Sequence, residues 1–233
     1  MQGFRASPWL VSFCAVLAPA FGIGLAAAEQ AASQMDHSHH HHAEAAAAVP
    51  EADPHAAHRH MMEKQSDPDV QRIQRAYAIP ELSLVREDGR SVRLADELND
   101  GRPVVMNFIY TTCTTICPVT SQVLSVFQQK LGADRAKVHI VSISIDPEED
   151  TPARLRDYGK RFHAGPTWQH YTGTLKASVQ VQQAFGVYRG DKTNHAPVTL
   201  VRPAPGKDWV RLEGFATPEQ IHAEIRGALL ANR

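Results

Sequence analysis

The sequence predicts an α/β domain with a mixed central sheet, helices on both of its faces and an N-terminal β-hairpin extension. Two apolar runs, 103–109 and 138–145, are nearly continuous, as in strands buried on both faces of a sheet. A segment with helical spacing of its apolar residues follows the first run. The order of elements, β-β-β-α-β-α-(β)-α-β-β-α, is typical of a layered α/β sheet.

The first half of the domain contains the hairpin and the first strand–helix unit. Segments 82–85 and 91–94 flank a turn at Asp88-Gly89, which is a strong hairpin signal. The strand at 103–109 is followed by a helix at 118–131, whose first turn tolerates Pro118 because that position needs no N–H donor. A glycine at position 132 favours the end of this helix.

The second half of the domain is predicted from its capping residues and apolar runs. Thr151-Pro152 begins a helix, with the threonine as cap and the proline in the first turn. Thr217, followed by Gln220, forms a capping box that begins the last helix. The other predicted elements are a short strand at 168–171, a helix at 174–185 and strands at 198–201 and 209–212.

Two cysteines, Cys113 and Cys117, lie where the strand at 103–109 passes into the next helix. Unpaired N–H groups and the helix dipole at this position favour thiolates, and open α/β sheets bind ligands at the carboxyl ends of their strands. A disulfide that closes so short a loop would stabilise the fold only weakly, so the pair is predicted to be chemically active. A cysteine pair at the first strand–helix junction is the thioredoxin-like arrangement. It suits redox chemistry or a soft metal.

A metal site would need a third ligand, and His195 is the candidate. It precedes the strand at 198–201, and in a thioredoxin-like sheet the loop before that strand faces the cysteine turn. Two thiolates and one imidazole suit Cu(I) and can also take Cu(II), whereas zinc would require a fourth ligand. The alternative is an ordinary loop histidine.

Residues 1–28 are predicted to be an export signal. Arg5 supplies a positive start, an apolar stretch covers 9–25, and the alanines at 26–28 offer a cleavage site. The alternative is an uncleaved membrane anchor, because the apolar stretch approaches the ~20 residues that a spanning helix needs. Export places the domain in a bacterial periplasm, soluble or anchored to the inner membrane. Cleavage would also remove Cys14 and leave the pair described above as the only thiols.

The segment 29–69 is predicted to be a disordered linker, because it has too few large apolar residues to fold. It contains eight of the 13 histidines of the chain. Tracts rich in histidine and methionine bind metal ions, and the alternative is a plain tether. The residues concerned are His37, His39, His40, His41, His42, His55, His58 and His60, with Met35, Met61 and Met62. The remaining residues, 70–233, have the length of one domain.

The other polar residues are predicted to have structural or surface roles. Asp146 follows a strand in a turn, and Asp150 lies at a helix start, both positions that aspartate favours. Four histidines lack ligand spacing and are expected to be hydrogen-bonded or on the surface: His139, His163, His170 and His222. The net charge of −1, from 24 basic and 25 acidic residues, argues against a nucleic-acid partner.

Four motifs, in order, make the sequence resemble the SCO/SenC family over residues 75–230. They are Cys113-Thr-Thr-Ile-Cys117-Pro118, Ser144-Ile-Asp146-Pro147-Glu-Glu-Asp150-Thr151-Pro152, Thr172-Gly173-Thr174 and His195. Members of the SCO/SenC family are thioredoxin-fold copper proteins involved in maturing the dinuclear copper centre of cytochrome c oxidase. The resemblance implies that Cys113, Cys117 and His195 are copper ligands. The chain departs from many members in the Thr-Thr-Ile between its cysteines and in Asn194 before the histidine.

Three functions follow from these observations. The first is a copper metallochaperone that delivers copper to the oxidase, or prepares its copper site. The second is a periplasmic thiol–disulfide oxidoreductase that uses Cys113 and Cys117 as a redox-active pair able to form a disulfide. The third is a passive metal buffer, in which the His-rich segment binds the ions.

Overall fold

The computed structural model describes residues 70–231. The predicted export signal at 1–28, the predicted linker at 29–69 and the last two residues lie outside the described residues. Within 70–231, no helix combines the length and the apolar character needed to cross a membrane.

The described part of the chain contains an eight-stranded sheet and five α-helices. The strands are β1 Gln71–Arg75, β2 Ser83–Arg86, β3 Ser91–Arg93, β4 Val104–Ile109, β5 His139–Ser144, β6 Trp168–Thr172, β7 Val198–Arg202 and β8 Trp209–Glu213. The helices are α1 Leu94–Leu98, α2 Ile116–Lys130, α3 Pro152–Arg161, α4 Leu175–Ala184 and α5 Pro218–Ala231. Two short 3₁₀ helices span Gly132–Lys137 and Lys192–Asn194.

The sheet is mixed, as the sequence predicts, with the strand order β1-β8-β7-β4-β5-β6-β2-β3. Strands β4, β5 and β6 are parallel, while β7 runs antiparallel to β4. The predicted hairpin is present as β2 and β3, and β2 joins the sheet antiparallel to β6. Its turn contains Gly89 at a φ of 86°, a left-handed conformation that favours glycine.

One strand and one α-helix were not predicted from the sequence, nor were the two short 3₁₀ helices. Strand β1 pairs with β8 along one edge, yet all five of its residues are exposed, so it has no alternating apolar pattern to reveal it. Helix α1 is only five residues long and begins at Leu94, the residue predicted to end the second strand of the hairpin. Helix α2 begins at Ile116, two residues before the predicted start, which places Cys117 inside its first turn.

Helices cover both faces of the sheet, as predicted. Val104, Met106 and Phe108 of β4 pack on one face with residues of α4. Val105, between them in the sequence, faces the other side and packs with residues of α2 and α5. Both predicted threonine caps are present: Thr151 accepts from the N–H of Arg154, and the Thr217–Gln220 capping box is reciprocal.

The topology brings two loops to one edge of the sheet. Because β7 is antiparallel to β4, with Asn107 opposite Thr199, the start of β7 lies beside the end of β4. The loop after β4 carries Cys113 and Cys117, and the loop before β7 carries His195. The predicted convergence of these two loops is therefore supported by the strand pairing.

Candidate metal and redox site

The two cysteines lie together at the junction of β4 and α2. The backbone N–H of Cys113 donates to the carbonyl of Tyr110 at 3.1 Å, which turns the chain after the strand. The N–H of Cys117, in the first turn of α2, then donates to the Cys113 sulfur at 3.4 Å. Both are free thiols, with 7% and 0% of the residue exposed. They pack against Ile109, Leu155 and Tyr158.

The surroundings make the two thiols chemically unequal. Burial opposes ionisation of Cys113, but the N–H groups of Cys117 and Thr115, with the hydroxyl of Tyr110, lower its pKa to about 7. Burial raises the pKa of Cys117, and the neighbouring Cys113 sulfur adds to that rise. At pH 7, Cys113 is therefore about half ionised, whereas Cys117 keeps its proton. The prediction that the helix N-terminus favours thiolates at both positions is thus wrong for Cys117, because its burial outweighs that effect.

The cysteine loop is held by a carboxylate that sequence reasoning assigned to a helix start. Asp150 is fully buried and accepts from Thr111 through both the N–H, at 3.1 Å, and the hydroxyl, at 2.6 Å. Its other oxygen accepts from the Ser144 hydroxyl at 2.6 Å. Asp150 therefore fixes the chain two residues before Cys113. No sequence signal links these positions, because they are 39 residues apart and meet only through the pairing of β4 with β5.

His195 is buried in the loop before the neighbouring strand, three residues ahead of the start of β7. Its Nε2 lies 3.1 Å from the carbonyl oxygen of Phe108. A carbonyl only accepts, so Nε2 carries the proton and Nδ1 keeps its lone pair. Burial lowers the pKa of the imidazole, and Arg189 nearby lowers it further, which favours the neutral form that binds metals.

The structure brings the two cysteines together, and it places His195 on the adjacent loop without joining it to them. Within residues 70–231, no group of three histidine, cysteine, aspartate or glutamate side chains is close enough to hold one ion. The available donors are two sulfurs and a neutral imidazole nitrogen, which is a set that fits a soft, low-coordinate cation.

Two other histidines, both within residues 70–231, are buried in different surroundings. His139 is buried and hydrogen-bonded, with Nδ1 near the carbonyl of Glu97 and Nε2 near the Gln169 amide oxygen. His170 corrects the expectation that these residues are hydrogen-bonded or on the surface, because it is buried and its Nε2 has no partner. Its ring instead stacks on Trp168 at a centroid distance of 5.5 Å.

The fold and the site together define a thioredoxin-like α/β protein with a dithiol at the junction of β4 and α2 and a histidine on the adjacent loop. A model of the SCO1/SenC family matches residues 70–203. The chain belongs to this family, as its ordered motifs indicate.

Known relatives and solved structures agree with this assignment. The chain is 30% identical over 105 residues to the "SCO1 protein homolog" of Bacillus subtilis, a match that covers 45% of this chain and 53% of the relative. The chain thus spans about half the length of that curated relative. Among solved structures, it is similar to Bradyrhizobium japonicum ScoI with copper bound, with a TM-score of 0.55, 27% identity, and coverage of 65% of this chain and 99% of the other. It is also similar to Arabidopsis thaliana ScoI with copper bound, with a TM-score of 0.54 and 26% identity; that match covers 67% of this chain and 99% of the other.

Proposed function

We propose that this chain is an exported copper chaperone that binds one copper ion through Cys113, Cys117 and His195. It passes the ion to, or prepares, the dinuclear copper site of cytochrome c oxidase. The observation that carries the proposal is the unequal dithiol beside a neutral histidine at one sheet edge. Family membership and the copper-bound relatives from two organisms support the choice of copper.

The three ligands contribute different chemistry to copper capture. Cys113 supplies a thiolate that is already substantially ionised at neutral pH. Cys117 must lose a proton, so binding releases protons and strengthens as the pH rises. His195 offers Nδ1, because Phe108 holds the proton on Nε2, and a backbone carbonyl partner of this kind is usual for metal-binding histidines.

Copper titration of the full chain tests this proposal. A Cys113→Ser/Cys117→Ser variant measures the copper bound elsewhere, including by the His-rich segment, and that amount is subtracted. The wild type should then bind one Cu(I) at the site, and His195→Ala and Cys117→Ser should each weaken it. Unchanged stoichiometry and affinity in both variants would contradict the proposal.

The same geometry favours thiol–disulfide exchange as a second candidate function. The Cys113 thiolate would attack a disulfide of a partner protein and expel one partner thiolate, which takes up a proton. Cys117 would then lose its proton and attack the Cys113 sulfur, releasing the second partner thiol. The chain ends as an intramolecular disulfide, and the partner is reduced by two electrons. A disulfide at 113–117 that exchanges negligibly with dithiols and protein substrates would exclude this function.

A further inference from the structure

The loop that carries His195, residues 185–197, is stiffened by its own hydrogen bonds. The Asp191 carboxylate accepts from the N–H and from the hydroxyl of Thr193, each at 2.8 Å. These bonds close the 3₁₀ helix Lys192–Asn194, and the N–H of His195 donates back to the carbonyl of Lys192 at 3.2 Å. These bonds lie within the turn, so its position relative to the rest of the fold depends on the contacts that tie it to the core.

Two side-chain contacts tie this turn to the core. One is the bond from His195 to the carbonyl of Phe108 in β4. The other is an ion pair, in which the Lys192 ammonium lies 2.5 Å from the Asp146 carboxylate at the end of β5. The side chain of Asp146 is 8% exposed and that of Lys192 is 38% exposed. The ammonium also lies 5.8 Å from the ring centroid of Tyr110, beside the cysteine loop.

The short segment after β5 therefore holds both halves of the site. Asp150 binds Thr111 of the cysteine loop, while Asp146 binds Lys192 of the histidine loop. The two carboxylates are connected through Ser144, whose hydroxyl donates to Asp150 and accepts from the N–H of Asp146 at 3.0 Å. The ion pair thus fixes the histidine turn against the same support as the cysteines.

We propose that Lys192, paired with Asp146, is a positioning residue that keeps the His195 turn within reach of the two cysteines. This inference rests on the proposed function, because it assumes that His195 becomes a copper ligand. The three side chains are not grouped in this structure, so binding requires the His195 side chain or its turn to move toward the cysteines. The ion pair limits that shift to conformations that stay over the cysteine loop.

The expected loss of copper affinity depends on the fraction of molecules whose His195 turn is in a conformation that can bind copper. Apparent affinity falls in proportion to the fraction of molecules in the competent conformation. A partly exposed ion pair of this kind changes such an equilibrium by a factor of about 1.5 to 5. Loss of the pair should therefore weaken His195-dependent copper binding by a factor of about 1.5 to 5.

Two substitutions separate positioning from simple charge. Lys192→Gln removes a positive charge near the ion, and Asp146→Asn removes a negative one, but both break the same pair. If the pair positions His195, both variants weaken copper binding, whereas Lys192→Arg, which can still pair with Asp146, keeps the affinity of the wild type. If only local charge matters, the two variants change the affinity in opposite directions, which would overturn the proposal. Lys176→Gln, at an exposed lysine in α4, is the matched control.

A metal-free measurement gives an independent readout. Backbone amides at 191–196 should exchange hydrogen faster in Lys192→Gln and Asp146→Asn than in the wild type, while amides of α2 are unchanged. Protection that is equal to the wild type in both variants would show that the pair does not hold the turn.

Combining these changes with His195→Ala distinguishes the two proposals. If His195→Ala alone weakens copper binding, and Lys192→Gln adds nothing to it, Lys192 acts through His195. If His195→Ala has no effect, the ligand assignment fails. If His195→Ala weakens binding but Lys192→Gln alone does not, only the positioning role fails.

Discussion

Alkylation of the reduced, metal-free protein by iodoacetamide tests the electrostatics of the cysteine pair. A thiol with a pKa of about 7 is about half ionised at pH 7, compared with about 1% for an unperturbed thiol of pKa 9.0. Its lower basicity makes the thiolate about six- to tenfold less nucleophilic. Ionisation and nucleophilicity together predict that Cys113 reacts about five- to eightfold faster at pH 7 than a cysteine of pKa 9.0 with the same solvent access.

The rate should rise with pH along a titration curve centred near 7. Peptide mass mapping assigns the label to Cys113 and distinguishes it from Cys14 and Cys117. Tyr110→Phe should move the midpoint to higher pH, because the tyrosine hydroxyl is one of the groups that lower the pKa of Cys113. Tyr188→Phe, at an exposed tyrosine, should leave it unchanged. A midpoint near 9, or equal labelling of Cys117, would refute the reasoning.

Three further predictions concern stability, measured by urea denaturation. His170 has its pKa lowered to about 4 by burial, so the unfolded chain binds a proton first as the pH falls from 6.5 to 4. Over that pH range, the free energy of unfolding of the wild type should fall by up to about 3 kcal/mol more than that of His170→Phe. Gly159→Ala should cost about 1–3 kcal/mol, because the new Cβ would lie 2.9 Å from the His170 ring. Asp150→Ala should lower the free energy of unfolding by about 2–4 kcal/mol, because it leaves the buried Ser144 hydroxyl and the half-buried donors of Thr111 without their acceptor.

Matched variants set the outcomes that would contradict these three predictions. Gly227→Ala, in α5 where the new Cβ would meet no atom within 4 Å outside the neighbouring backbone of its own helix, should raise the free energy of unfolding by about 0.5–1 kcal/mol. Glu149→Ala, beside Asp150 but exposed, should change stability by less than about 1 kcal/mol. The predictions would be contradicted if Gly159→Ala and Gly227→Ala changed stability equally, or if Asp150→Ala and Glu149→Ala did. Parallel pH profiles for the wild type and His170→Phe would contradict the effect of burial on His170.

Most of the fold could be predicted from the sequence because its elements carry strong local signals. The central strands β4 and β5 have every residue buried, and their apolar runs show this directly. The caps at Thr151 and Thr217 are local as well, because each residue bonds to the N–H three positions later. Strand β1 escaped prediction because it forms by backbone pairing with β8, and its exposed side chains carry no apolar pattern.

The residue types of the candidate site could be predicted from the sequence, but the contacts that hold its two loops could not. By itself, the sequence determined the soft dithiol at a strand–helix junction, the histidine before a later strand and the resemblance to the SCO/SenC family. Only the tertiary structure decided that the two thiols differ in their pKa, since burial and N–H donors are properties of the folded surroundings. It also decided that Asp146 and Asp150 hold the two loops, because hydrogen bonds and ion pairs act through space between segments that are distant in the chain.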